Sequence, residues 1–242
     1  VVCVLGTWDA LGPVSRLVSE VGGPGFSLDT EYSQLAPDAR MGRAFEASAD
    51  RVHPSFGEED RQAVAEHRAV AYVLSPPLSP REAPELSARM LRLVAALLGA
   101  GGVAAKGESS GIAHGARRWR ELAEGCGSGD VLARGMALRD AWVRRPLVER
   151  DGALYSCGMH LLGEPDVELP SELEPLEAVE WIDALGLYLL TEKPARGLRP
   201  GETFRPSAEH PRRVLRLRPC ERYEEDDFFF NPYGYWDLRE TR

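Results

Sequence analysis

Residues 69–107 carry the pattern that most restricts what this chain can become. Ala69–Leu74 is a short apolar run closed by Ser75, Pro76 and Pro77. Ser79, Pro80 and Glu82 then stand where a helix takes an N-cap, a first-turn proline and an N3 acid. Leu86, Met90, Leu93, Val94 and Leu97 follow at helical spacing and share one face, and Gly99–Gly102 stops the helix before Val103–Lys106, which reads as another strand. A helix with one apolar face between two apolar strands buries that face on a sheet, so the unit calls for helices packed on strands.

A weaker version of the unit spans 1–35. Val1–Leu5 reads as a strand, 8–21 as a helix, Gly22–Gly25 as a break and Phe26–Leu35 as a second strand. Residues 38–68 read as two helical pieces, the second opened by Ser55 and Glu58 in a capping-box pattern. After a helical section around 115–138, Trp142–Glu149 and Ala153–Met159 flank Asp151-Gly152, a dipeptide preferred in tight hairpins, with Pro146 marking an edge or a bulge. Ser171–Glu174 caps a helix to about Leu190, with Ala178, Ile182, Leu185 and Leu189 on one face and Trp181 and Tyr188 beside it. Two late strands, near 202–205 and 213–217, precede an aromatic tail. The expected fold is α+β: mixed sheets built from strand–helix–strand units and a β-hairpin, with helices packed on the sheets. The boundary is soft, giving an N-terminal α/β half over 1–135 and a C-terminal α+β half with the tail over 136–242, closely packed or integrated into one domain.

The 242 residues carry a formal charge of −9, which argues against generic nucleic-acid binding. No run approaches the ~20 apolar residues of a membrane-spanning helix, and the apolar opening is too short for a signal sequence. Cys3, Cys126, Cys157 and Cys220 follow no framework spacing, which suits reduced thiols in a cytoplasm. Lys106 and Lys193 are the only lysines, so any lysine-dependent chemistry has two candidates.

Gly107-Glu108-Ser109-Ser110-Gly111 fits G-x-S-x-G between an expected strand and an expected helix, the setting of a nucleophile elbow with Ser109 as nucleophile and His160 or His210 as base. The bland reading of Ser109 is a helix N-cap. Cys157 and His160 resemble half a metal site, but on a strand they point to opposite faces and no second Cys/His pair has ligand spacing, so no metal is expected. Gly99–Gly102 runs from helix to strand, the wrong way round to cradle phosphate, and no cofactor motif appears in the right context. The C-terminus is the oddest stretch. Glu221, Glu224, Glu225, Asp226 and Asp227 precede residues 228–236, where six of nine are aromatic. If exposed, Tyr233, Tyr235 and Trp236 beside Glu225, Asp226 and Asp227 would form a docking surface for a basic protein.

Val4–Trp8, Glu108–His114 (ESSGIAH), Tyr155–His160 (YSCGMH), Gly201–Phe204 (GETF) and Asn231–Gly234 together resemble an uncharacterised bacterial family described only as a domain of unknown function. The resemblance spans most of the chain. It implies a single integrated, cytoplasmic bacterial protein and brings no catalytic residues. The leading expectation is a non-enzymatic protein-binding protein, an immunity or accessory protein that sequesters a bacterial partner. The alternatives are a serine hydrolase using Ser109 and a structural subunit of a larger assembly.

Overall fold

The structure is a computed structural model that describes residues 1–150, 152–192 and 196–239. Its first sheet grows from the strand–helix–strand units, but in an interleaved form. The elements in order are β1 (Val2–Gly6), α1 (Leu11–Leu17, continued by a wider turn over Val18–Gly22), β2 (Ser27–Gln34), α2 (Met41–Ser48), α3 (Glu58–Ala65), β3 (Ala69–Leu74), α4 (Ala83–Gly99), β4 (Gly102–Gly107) and β5 (Ile112–His114). The strand order is β2-β3-β1-β4-β5, with every neighbouring pair antiparallel. β3 and β4 therefore run the same way with β1 inserted between them, and β1 and β2 do likewise around β3. This is a double split-βαβ arrangement.

The chain continues through α5 (Ala116–Cys126), α6 (Val131–Trp142), β6 (Arg144–Val148), β7 (Leu154–Cys157), β8 (Asp166–Leu169), α7 (Pro175–Thr191), β9 (Thr203–Phe204), β10 (Arg213–Val214), β11 (Arg216–Arg218) and β12 (Tyr235–Asp237). The second large sheet has the order β11-β12-β8-β7-β6, with β12 and β8 parallel. One hydrophobic cluster joins the inner faces of both sheets through the helices between them. It takes Val2, Val4, Ala71 and Val73 from the first sheet, Leu91, Trp119, Leu138 and Trp181 from the helices, and Leu154, Val167 and Trp236 from the second. The fold is α+β, with helices packed on mixed sheets as expected.

Several local expectations shift. The helical section over 115–138 is two helices, parted at 127–130, where the Asp130 carboxylate caps α6 through the Leu132 amide at 2.9 Å. Trp142 ends α6 instead of opening a strand. The box before α3 is made by Gly57 and Asp60, whose carboxylate accepts the Gly57 amide at 2.9 Å, and not by Ser55 and Glu58. β6 is an edge strand whose register shifts between Arg144 and Leu147, around Pro146. Asp151 of the hairpin turn and Lys193 lie outside the described residues.

The second sheet is fastened by one buried carboxylate. Asp166 accepts hydrogen bonds from the Ser156 hydroxyl at 2.8 Å, the Met159 amide at 3.2 Å and the Asn231 amide side chain at 2.7 Å. Ser156 also accepts the Val167 amide at 3.0 Å, and Asn231 accepts the Tyr233 amide at 2.9 Å. Two glycines let the backbone close around this knot. Gly158, at φ +123°, leaves no room for a Cβ beside the Trp142 carbonyl, and Gly234, at φ +76°, leaves none beside the Arg218 carbonyl.

Burial outweighs the donors around it and pushes the Asp166 pKa up from 3.8 to about 6. A carboxyl that is more basic folded than unfolded binds its proton more readily in the native state. Its contribution is complete below the unfolded value and is lost as pH rises through about 6. Asp166→Asn would set two amide groups face to face at Asn231 and cost about 1–3 kcal/mol at pH 7. In urea titrations, the advantage of the wild type over Asp166→Asn should grow as pH falls from 7 and level off near 4; a pH-independent difference would contradict this. Gly234→Ala should lower stability by at least ~3 kcal/mol or abolish folding, read by the same titrations.

Candidate functional site

The outer face of the first sheet is only partly roofed. Helices α2 and α3 and the segment between them cover Leu5, Val70 and Ala104 through Met41, Phe45, Phe56 and Val64. Towards Tyr72 and Lys106 the cover thins, while Cys3 between them stays fully buried. The pairing register there places Asp29 opposite Tyr72, Tyr72 opposite Cys3, and Cys3 opposite Lys106, a row across β2, β3, β1 and β4. Because side chains alternate along a strand, this row shares the outer face with Leu5, Val70 and Ala104 two residues away in each strand. The uncovered end forms a groove of about 590 Å³. That volume is within the usual range of ligand and side-chain pockets. Tyr32, Met41, Leu74 and Phe228 give it apolar walls, while Asp29, Arg40, Lys106 and Glu108 supply its charges.

The charges on the groove are unequally satisfied. Lys106 Nζ donates to Glu108 at 2.6 Å, and Arg40 forks onto Asp38 at 2.7 Å. The Arg40 hydrogen bond holds the Asp38 carboxyl down at about 2. Burial pushes the Cys3 thiol up to about 12 and raises the Tyr72 phenol, so both stay protonated at neutral pH. Asp29 uses one oxygen to accept the amides of Glu31 at 2.9 Å and Tyr32 at 3.1 Å. Among the described residues it meets no cation, and neither do Glu31, Glu225, Asp226 or Asp227.

The aromatic tail is redistributed relative to expectation. Tyr235 and Trp236, placed on a docking surface by composition, are 3% and 4% exposed. They lie in β12, inside the second sheet between β11 and β8. Trp236 faces the shared core, and Tyr235 packs with Tyr155 on the other side. Tyr233 is half-buried in the turn that Asn231 caps. Glu225, Asp226 and Asp227 are exposed as expected. The exposed ring beside them belongs to Phe228, at 59%, while Phe229 turns inward onto Tyr223 and the Gly111 turn.

The Ser109 motif also sits differently. Gly107–Gly111 is a hairpin turn joining β4 to the antiparallel β5, with Gly111 at φ +62°, and the next helix starts only at Ala116. A hairpin turn lacks the helix N-terminus that an elbow uses to hold an oxyanion. The structure does bring His160 to Ser109: its ring stands against the Ser109 backbone. Strand β7 ends at Cys157, however, so His160 lies on a 3-10 turn and not on the strand. Its burial drives the pKa down to about 4, and no carboxylate orients the ring among the described residues. The Ser109 hydroxyl accepts from the Val1 nitrogen at 3.3 Å. His210 bonds Ser207 at 2.9 Å and packs on Trp181, far along the chain from this turn.

Among the described residues no group of three or more His, Cys, Asp or Glu side chains could hold a metal ion, and no helix is long and apolar enough to cross a membrane. The residues that composition missed are Asp29, Tyr32, Tyr72 and Phe228. Lys106 stood out in sequence only as one of two lysines.

These burials predict opposite responses along the tail. Trp236→Ala should destabilise by about 3–5 kcal/mol, the range for truncating a buried ring. Phe228→Ala should stay within about 0.5 kcal/mol of wild type. Thermal melts of the two variants check the contrast, and equal losses would refute it.

No family model matches the chain, and no curated protein or solved structure matches it.

Proposed function

We propose that the chain is a non-enzymatic binding protein that docks a basic protein partner on the open end of the first sheet, in the manner of an immunity or accessory protein. One observation carries this reading. The exposed rings of Tyr32 and Phe228 line the same groove, and the exposed carboxylates of Glu225, Asp226 and Asp227, which meet no cation among the described residues, directly precede Phe228. Aromatic anchors within a charged rim are the usual composition of a recognition surface. The net charge of −9 would further speed encounter with a partner of opposite sign.

The buried Tyr235 and Trp236 belong to the scaffold, so the test moves to the groove. Native affinity purification from the source cells should return one basic protein at fixed stoichiometry. The Tyr32→Ala, Phe228→Ala double variant should lose it while keeping the wild-type melting temperature. With that partner in hand, reversing Glu225, Asp226 and Asp227 to lysine should slow association by about tenfold or more and flatten its salt dependence. Recovery of the chain alone, or retention of the partner by the double variant, would overturn the reading.

A further inference from the structure

The outer face of the second sheet shows what such a groove can hold. There Arg222 lies 3.9 Å over the Tyr155 ring and 4.7 Å over the Tyr235 ring. Its guanidinium also bonds the carboxylates of Glu149 and Glu168. Two tyrosine faces and two acids thus hold one arginine, because ring faces attract cations and a planar guanidinium stacks on them while its edge meets carboxylates.

The outer face of the first sheet offers the same ingredients to the outside. Tyr32 and Tyr72 stand edge to face with centroids 6.4 Å apart, and Phe228 lines the groove with them. The two cationic side chains of the groove are already matched, Lys106 by Glu108 and Arg40 by Asp38. Asp29, on the same wall, has no cation partner among the described residues.

Resting on the docking reading above, we infer that the groove is a receptor for an arginine side chain presented by the partner protein, held by the rings of Tyr32, Tyr72 and Phe228 and paired with Asp29. Arginine fits better than lysine because a planar group can stack on a ring while its edge reaches the carboxylate, whereas an ammonium is a compact, strongly hydrated charge. The exposed acids that precede Phe228 in the chain favour the same sign of ligand. The groove is thus the site of a single anchoring residue, with the acidic tail steering the segment that carries it.

The probe is an acetylated and amidated Gly-Arg-Gly peptide, titrated against the full chain while the ring resonances of Tyr32 and Phe228 are followed by NMR. Peptides with citrulline or lysine in place of arginine are run alongside. Saturable shifts with the arginine peptide are expected, with about tenfold weaker binding for citrulline and several-fold weaker binding for lysine. Asp29→Asn keeps the acceptor that the Glu31 and Tyr32 amides use, so the fold should stand while arginine binding falls by about tenfold. Equal binding of the citrulline peptide, no shift with arginine, or unchanged affinity in Asp29→Asn would overturn the inference. If those results came while a basic partner was still captured through Tyr32 and Phe228, the arginine anchor alone would fall. Saturable arginine binding with no partner recovered would instead support the anchor and remove the docking reading.

Discussion

The buried carboxylate of Asp166 is the contact on which the second half of the molecule is assembled. A carboxylate taken out of water is costly unless donors surround it. Here the donors come from three places: Ser156 on β7, the Met159 amide just past that strand, and Asn231 in the turn before β12. Satisfying one side chain therefore fixes the end of β7, the start of the 3-10 turn and the approach of β12 to β8. The last of these also sets the fate of the aromatic tail. Once Asn231 is held, the turn at Gly234 delivers Tyr235 and Trp236 into the sheet, with Trp236 entering the core between the sheets.

The same closure accounts for which rings stay outside. The chain between β11 and β12 must run over the outer surface to reach the Asn231 turn. Along that path Phe229 is half-buried against Tyr223 and Phe228 is left at the groove of the other sheet. A short connecting segment thus touches the outer faces of both sheets, Phe229 on one and Phe228 on the other, with its exposed acids just before them in the chain. The two outer faces are chemically related. Each sets tyrosines beside carboxylates, and in one of them the chain's own Arg222 fills the position.

Elements with a strong period were legible in the sequence. The apolar face of α4 and that of α7 (Ala178, Ile182, Leu185 and Leu189) are buried as their spacing demands, and β3 runs over Ala69–Leu74 as read. What escaped were β5, β8 and β12, strands of three or four residues that carry His114, Asp166 and Asp237, whose polar side chains hide the alternation. Composition misread the tail because a ring's burial depends on whether its strand lies inside a sheet, and nothing local says that of Tyr235 or Trp236. The groove was invisible for a different reason. Asp29, Tyr72, Cys3 and Lys106 become neighbours only through cross-strand register, which the strand order decides. The Ser109 motif failed as an elbow for a reason just as short in range: three residues of strand, Ile112–His114, follow where a helix was required.

The central place of β1 has a consequence for how the molecule comes together. Both of its hydrogen-bonded neighbours lie far downstream, at 69–74 and 102–107, while β2, the next strand in the chain, pairs elsewhere. During synthesis this strand emerges long before anything can flank it, and closing such distant pairings is entropically slow. Until residues 102–107 have emerged from the ribosome, one of the two edges of β1 has no strand to pair with in this sheet. The first sheet is therefore a late product of a long stretch of chain, and its central strand waits for β4 before its second edge is paired.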